Sequence, residues 1–279
     1  MNVMQNSHGI MFNPLSLSQA LQDVIQLKCY TISDLFLLNE YWNSWFHHSD
    51  FSFRDPQKTV NAINQEIARQ HDFLKQADHV ILTLGSAFAY YHLKENVYVS
   101  NNHRAPADWF RKDLLSIDTI QQELTTLSLA LREFNPKLQL IFTVSPVRHI
   151  RDGIIENNRS KARLIEAVHN IPNSYYFPAY EFVIDILRDY RFYDLDMVHP
   201  NYQATQFVWQ QFMQTCMSPD ALPILEEFDK IYKAVHHKAK DSGSLAHQKF
   251  KSDFLILCQQ MQLKYPYVDL SAELSLFSA

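Results

Sequence analysis

Asp196 and His199 stand three residues apart in the run YEFVIDILRDYRFYDLDMVHPN, residues 180–201. A carboxylate at that spacing in a turn can reach the imidazole and fix its tautomer, leaving the other ring nitrogen free to act as a general base. This is the base half of a Ser-His-Asp hydrolytic arrangement. Taken alone, the short pattern D-x-x-H-P also reads as a histidine beside a helix start. Four more residues have chemical capacity, Arg148 and His149 after an earlier apolar run and Arg188 and Arg191 in the same 180–201 run. Arginine offers planar, bidentate donors to an anionic or polar substrate. The structural alternative pairs these cations with Asp185, Asp189, Asp194 and Glu181, and Arg148 and Arg191 are favoured as substrate ligands because they stand near strand ends. Ser86, in LTLGSAF, is a hydroxyl in a strand-to-turn context, either a nucleophile or a turn residue. The pairs His47-His48 and His236-His237 do not converge on one ion, since adjacent side chains diverge. They read as solvated histidines, and no metal site is expected.

Alternating periodicities supply the elements that must hold these residues. Residues 16–28 read as a helix capped by Ser16 or Ser18, and residues 55–77 as a second helix with Pro56 in its first turn. The apolar run Val80 to Leu84 reads as a fully buried parallel strand ending at Gly85, and Leu138 to Val144 as another ending at Ser145-Pro146. A helix at about 116–134 precedes the second, and a weaker strand lies at Tyr175 to Phe177. This alternation is that of an α/β domain with a doubly wound sheet. Ligands of such sheets bind beyond the carboxyl ends of the strands, which points to Gly85–Phe88, Ser145–His149 and the 180–201 run. Beyond Asp196 only helices are expected, one starting near Pro200 and others over 221–264, interrupted near Asp241-Ser242-Gly243. The chain therefore divides into residues 1–217 and a helical extension, 218–279.

Composition narrows the function. Only four glycines occur in 279 residues, Gly9, Gly85, Gly153 and Gly243, so no glycine-rich phosphate loop can be written. Nucleotide-binding Rossmann and P-loop enzymes are thereby disfavoured, and no cofactor is expected. The formal net charge of −5 lacks the basic footprint of a nucleic-acid binder. Cys29, Cys216 and Cys258 are odd in number and contain no C-x-x-C pair, which fits a reducing, cytoplasmic compartment. No stretch is long and apolar enough to span a membrane, and the N-terminus lacks the regions of a signal peptide.

The strings NSHGIMFNPLSL, TLGSAFAYY, NNHRAPADWF, IFTVSPVRHIRDGIIENNRSKARLIEAV and YYFPAYEFVIDILRDYRFYDLDMVHPN occur in this order from about residue 4 onward. Together they resemble the GSCFA domain family, bacterial proteins related to the SGNH/GDSL hydrolases. The resemblance implies a flavodoxin-like, three-layer α/β/α SGNH-hydrolase-type domain with a C-terminal α-helical extension. It also implies hydrolysis of an acyl or acetyl ester by a Ser-Asp-His set, with Asp196 and His199 as the D-x-x-H block. Gly85 matches the glycine of the superfamily's G-x-N block, but Ala87 replaces the asparagine, which normally donates to the oxyanion. Asn101, His103 and Arg104 lie in an N-x-H-[KR] segment that could replace that donor, and Gly9 falls near the position of another block glycine. Ser7 stands where the family commonly has proline and is a weaker nucleophile candidate than Ser86. The name-giving Gly-Ser-Cys-Phe-Ala motif, which carries the serine after the family's first strand, is absent. An N-terminally truncated chain is the expectation, with the nucleophile upstream of Met1.

Two readings follow for the partner of this scaffold. It either hydrolyses a small-molecule or acylated substrate once its serine is supplied, or it is a catalytically inactive binding protein of the same fold. Neither involves nucleic acid or a membrane. Substrate identity and oligomeric state are not encoded in any motif.

Overall fold

Helix α1 (Pro14–Ile25) begins earlier than its periodicity suggests, because the cap is Asn13 rather than Ser16 or Ser18. Asn13 Oδ1 accepts the Ser16 N–H at 2.9 Å, and Pro14 occupies the first helical position, where its missing donor costs nothing. Ser18 is free to donate instead to Glu123 at 2.5 Å. The computed structural model describes residues 3–5, 8–239, 241 and 243–278. Within them the chain forms two compact units, one from Val3 to Val208 and the other from Trp209 onward.

In the first unit a hairpin of β1 (Phe36–Leu38) and β2 (Tyr41–Asn43) precedes α2 (Pro56–Gln76). Asp55 caps α2 by accepting the Gln57 N–H. Then come β3 (His79–Leu84), β4 (Phe88–His92), β5 (Val97–Val99), β6 (Phe110–Leu114), α3 (Ile117–Phe134), β7 (Gln139–Val144), α4 (Ile154–His169) and β8 (Tyr175–Phe177). Strands β3, β7 and β8 form a parallel sheet in the order β3-β7-β8, in register from His79 opposite Gln139 to Leu84 opposite Val144. Leu82, Leu84, Leu140, Phe142 and Val144 on one face join a core with Leu124, Leu127 and Leu131 of α3 and Leu164 of α4. Each such side chain contributes about 1.5–3 kcal/mol by leaving water.

Two features depart from the expected pattern. Strand β3 is not fully buried: Ile81 is 51% exposed and Thr83 is also exposed. Among the described residues β3 pairs with β7 alone, so it is an edge strand, and its face carrying Ile81 and Thr83 meets solvent. A second sheet, antiparallel in the order β5-β4-β6, is invisible to periodicity because its strands are short and β6 carries Arg111, Lys112 and Asp113 in succession. It packs with Trp45, whose ring stacks on Phe36 at 3.6 Å.

His47 is a further correction. It is 2% exposed, its Nδ1 lies 2.9 Å from Ser44 Oγ, and its ring meets Tyr30 edge-on. It is a core residue rather than a solvated one, while His236 and His237 are exposed.

After β8, α5 (Ala179–Glu181) runs into a π-helical turn, Phe182–Leu187, that ends at Arg188 with φ 49°. Helix α6 (Tyr202–Cys216) follows the 189–201 loop. In the second unit α7 (Leu222–Val235), α8 (Leu245–Lys264) and α9 (Ser271–Ser278) enclose Ile231, Ala234, Cys258, Met261, Leu270 and Phe277. The Gln262 amide closes the connection between α8 and α9, donating to Val268 O and accepting from Leu270 N–H. No helix among the described residues is long and apolar enough to cross a membrane.

Truncating Leu124, which is 0% exposed, to alanine is expected to cost about 2–5 kcal/mol of unfolding free energy. Removing the α1 cap with Asn13→Ala should cost only about 1 kcal/mol. Urea denaturation of both variants checks the order, and a cap effect equal to the core effect would refute this account of the core.

Candidate functional site

Strands β3 and β7 end side by side, and their exit turns are bound to each other. Ser145 N–H donates to Leu84 O at 2.8 Å. Beneath the turns lies Lys161 of α4, 1% exposed, whose ammonium donates to Gly85 O and Ser145 O at 2.6 Å each. A buried ammonium is costly unless bonded, and these two carbonyls satisfy two of its three N–H groups. Burial pushes its pKa from 10.5 down to about 7. Its neighbour Ser160 accepts the Ala87 N–H at 2.7 Å. Adjacent residues of one helix thus clamp the turn after β3.

The segment before α1 closes over the same turn. Phe12 O accepts both Gly85 N–H, at 2.8 Å, and Ser86 N–H, at 2.9 Å. A Cβ at Gly85 would lie 3.2 Å from Phe12 Cδ1 and 3.4 Å from His149 Nε2, so the glycine permits this close approach. Gly9, at φ +91°, is under a stronger constraint, since a Cβ there would fall 2.1 Å from His48 Cβ.

His149 leaves β7 toward this turn, with its ring edge-on to Phe12 at 5.7 Å. Burial first, then the cations of Lys161 and Lys112, lower its pKa to about 4, with Asp152 opposing them. His199 also acts on it, which puts the two imidazoles in one electrostatic neighbourhood.

The 189–201 loop delivers His199. Tyr193 bridges to Pro200, Asp194 N–H donates to His199 O at 2.8 Å, and Asn201 Nδ2 donates to Arg191 O at 2.6 Å. Met197 sits at φ 59°, the left-handed geometry that turns the chain back. Asp196 Oδ1 accepts the N–H groups of Val198 and His199, while Oδ2 lies 2.6 Å from His199 Nδ1. Those bonds, led by the His199 N–H, hold the Asp196 pKa down to about 2. An ionised partner on Nδ1 selects the tautomer whose Nε2 is a free acceptor. The dyad is more than half exposed at His199, so Nε2 is available to a reactant.

The other candidates separate. Arg148 adjoins the dyad, its N–H donating to Val198 O at 3.3 Å. Arg191 instead pairs with Asp189 at 2.9 Å, the structural alternative for that residue. Ser86 is buried, and its Oγ accepts the Phe88 N–H and lies 3.5 Å from Ser160 Oγ. Asn101 and His103 belong to another cluster: Asn101 Oδ1 accepts the His103 N–H, and His103 Nε2 meets Ser44 O at 2.8 Å beside Trp45. Among the described residues no hydrogen bond or ring contact links them to the dyad. Ser7 lies outside the described residues. No group of three or more His, Cys, Asp or Glu side chains among the described residues is placed to hold a metal ion.

Lys161 was not singled out by sequence, although a signal exists. Positions 157, 160, 161, 164, 167 and 168 form the buried stripe of α4, so its lysine falls among apolar and small residues where a charge needs a reason.

A mixed α/β protein with a carboxylate–histidine dyad beyond the ends of a parallel sheet is the class these observations define. Residues 1–212 match the model of the GSCFA family, and residues 228–279 match the GSCFA domain protein, C-terminal domain. The chain belongs to the GSCFA family. No curated protein and no solved structure matches it.

Lys161 makes stability depend on pH with a definite sign. Between about pH 7 and 10.5 the unfolded lysine keeps its proton while the folded one has lost it, so stability rises with pH there. Below about pH 7 both forms are protonated and the burial cost is constant. Relative to Lys161→Met, the native chain should gain up to about 1.4 kcal/mol per pH unit across that window. Parallel pH–stability curves for the two proteins would rule this out.

Proposed function

We propose that this chain is the scaffold of an SGNH/GDSL-type serine ester hydrolase acting on an acyl or acetyl ester. The three-layer fold would be completed by a strand and nucleophilic serine encoded upstream of Met1. The observation that carries the reading is the 2.6 Å contact of Asp196 Oδ2 with His199 Nδ1, beyond the ends of parallel strands. In this mechanism the serine oxygen attacks the ester carbonyl as its proton passes to His199 Nε2. The imidazolium, held by Asp196, then gives that proton to the departing alcohol. Water repeats the sequence on the acyl-enzyme and releases the acid. The open edge of β3, which among the described residues pairs only with β7, is where an upstream strand would add.

One observation favours a second reading, a binding protein that no longer reacts. Ala87 is fully buried and cannot stand in for an asparagine donor, while the amides of Gly85 and Ser86 are both spent on Phe12 O. Oxyanion donors would then have to come from the upstream segment, or from withdrawal of the Phe12 carbonyl.

The test uses the chain extended in frame upstream of Met1. It should hydrolyse p-nitrophenyl acetate and label with a fluorophosphonate, and His199→Ala should lower kcat/KM by roughly 10³- to 10⁴-fold. Activity indifferent to that change would remove the dyad from the mechanism. Absence of labelling in a folded, extended chain would favour the binding reading.

A further inference from the structure

Next to the segment that follows β7 the surface sinks into a groove of about 270 Å³ whose walls include Arg148, Ile150, Ile154, Ile184 and Tyr190. A smaller recess of about 130 Å³ shares Arg148, Ile184 and Tyr190 and adds Arg188. The Arg148 guanidinium lies 4.3 Å from the Tyr193 ring centre and 5.4 Å from that of Tyr190. Stacking of this kind orients the planar guanidinium and leaves its N–H edge for hydrogen bonding. Among the described residues nothing accepts from that edge: no carboxylate, carbonyl or hydroxyl bonds the Arg148 side chain. Among the described residues the Arg188 side chain of the smaller recess likewise has no acceptor, while other arginines of this unit are bonded. Arg191 is paired with Asp189 and Arg159 with Glu156, and Arg163 donates to Leu114 O and Leu115 O. A half-buried, pre-oriented guanidinium without an acceptor lacks the partner that such a fork normally finds.

We infer that Arg148 forms a carboxylate subsite beside the Asp196–His199 dyad, so that the ligand is a small ester carrying a carboxylate a few atoms from its ester group. Ile150, Ile154 and Ile184 take the aliphatic stretch between the two ends. A groove of about 270 Å³, the space of roughly nine waters at ~30 Å³ each, matches a short chain. A monoanion fits better than a phosphate dianion. Asp189, which lines the smaller recess, and Asp185 and Glu181, which both act on Tyr180 in the groove wall, keep the surroundings from strong positive potential. The backbone bond from Arg148 N–H to Val198 O ties the subsite to the turn that holds the dyad. The ester end of a ligand anchored there is assigned to the side of the groove nearest that turn.

Calling this ligand a substrate rests on the hydrolase reading, but its binding does not. The measurement therefore uses isothermal titration of the His199→Ala chain, in which turnover by the dyad is removed, with monomethyl succinate as probe and dimethyl succinate as neutral control. The monoanion should bind at least tenfold tighter than the neutral diester. Arg148→Met, which keeps the packing against Tyr193, should erase that difference, while Arg148→Lys restores part of it as a point charge without the fork. Ile184→Trp, which fills the groove, should weaken both ligands and gives a second test if Arg148→Met unfolds. Equal binding of the two esters, an unchanged affinity in Arg148→Met, or inorganic phosphate competing as well as the carboxylate would each overturn the assignment. An extended chain that fails to label with a fluorophosphonate, yet binds the monoanion through Arg148, would sink the hydrolase reading and leave the subsite standing.

Discussion

The Lys161 ammonium bridges the carbonyls of Gly85 and Ser145, and through them it holds together the ends of two neighbouring parallel strands. Strand pairing brings Leu84 opposite Val144, but a ladder says nothing about the directions in which the chains leave it. A buried cation does, because each departure from its two acceptors exposes an unmet charge to a low-dielectric interior. The turn after β3 then meets Phe12, and the turn after β7 carries Arg148 and His149 toward the 189–201 loop. The turn after β7 also meets the dyad's loop through the Arg148 N–H bond to Val198 O.

Electrostatics around the clamp divides the histidines by role. His149 sits beside two lysines and is held neutral by burial and by their charge, so it contributes shape and dipole rather than a titrating proton. His199 is exposed and faces an ionised Asp196, the setting of a base. Two imidazoles in one neighbourhood thus differ because one loop is tucked against α4 and the other stands in solvent. The Phe12 carbonyl adds a fixed dipole, occupying the paired amides of Gly85 and Ser86 that would otherwise point at a ligand.

Much of the frame was legible in the chain itself. The 55–77 helix and the Tyr175 to Phe177 strand match within a residue, and the interruption near Asp241 to Gly243 falls between α7 and α8. These features depend on caps, prolines and short-range periodicity, which act over a few residues. The errors share a cause as well. The 16–28 helix was misplaced because asparagine outcompeted two serines as cap. Strand β3 was read as fully buried because an apolar run does not say whether both faces of the sheet are covered, and the β4–β6 sheet escaped notice because its strands are held by one another rather than by their own pattern.

For the site, sequence by itself determined the Asp196–His199 dyad, since both partners lie within one turn whose geometry is set by the residues between and around them. It also determined that Gly85 ends a strand. Only the tertiary structure decided that Arg191 is paired while the Arg148 side chain has no acceptor among the described residues, that His47 is core, and that Asn101 and His103 serve the Trp45 cluster. The same holds for Lys161, which meets carbonyls 76 and 16 residues away. Contacts of that kind depend on which distant segments the sheet brings together, and burial then sets the charge state and free valence of a side chain whose local sequence gives no sign of either.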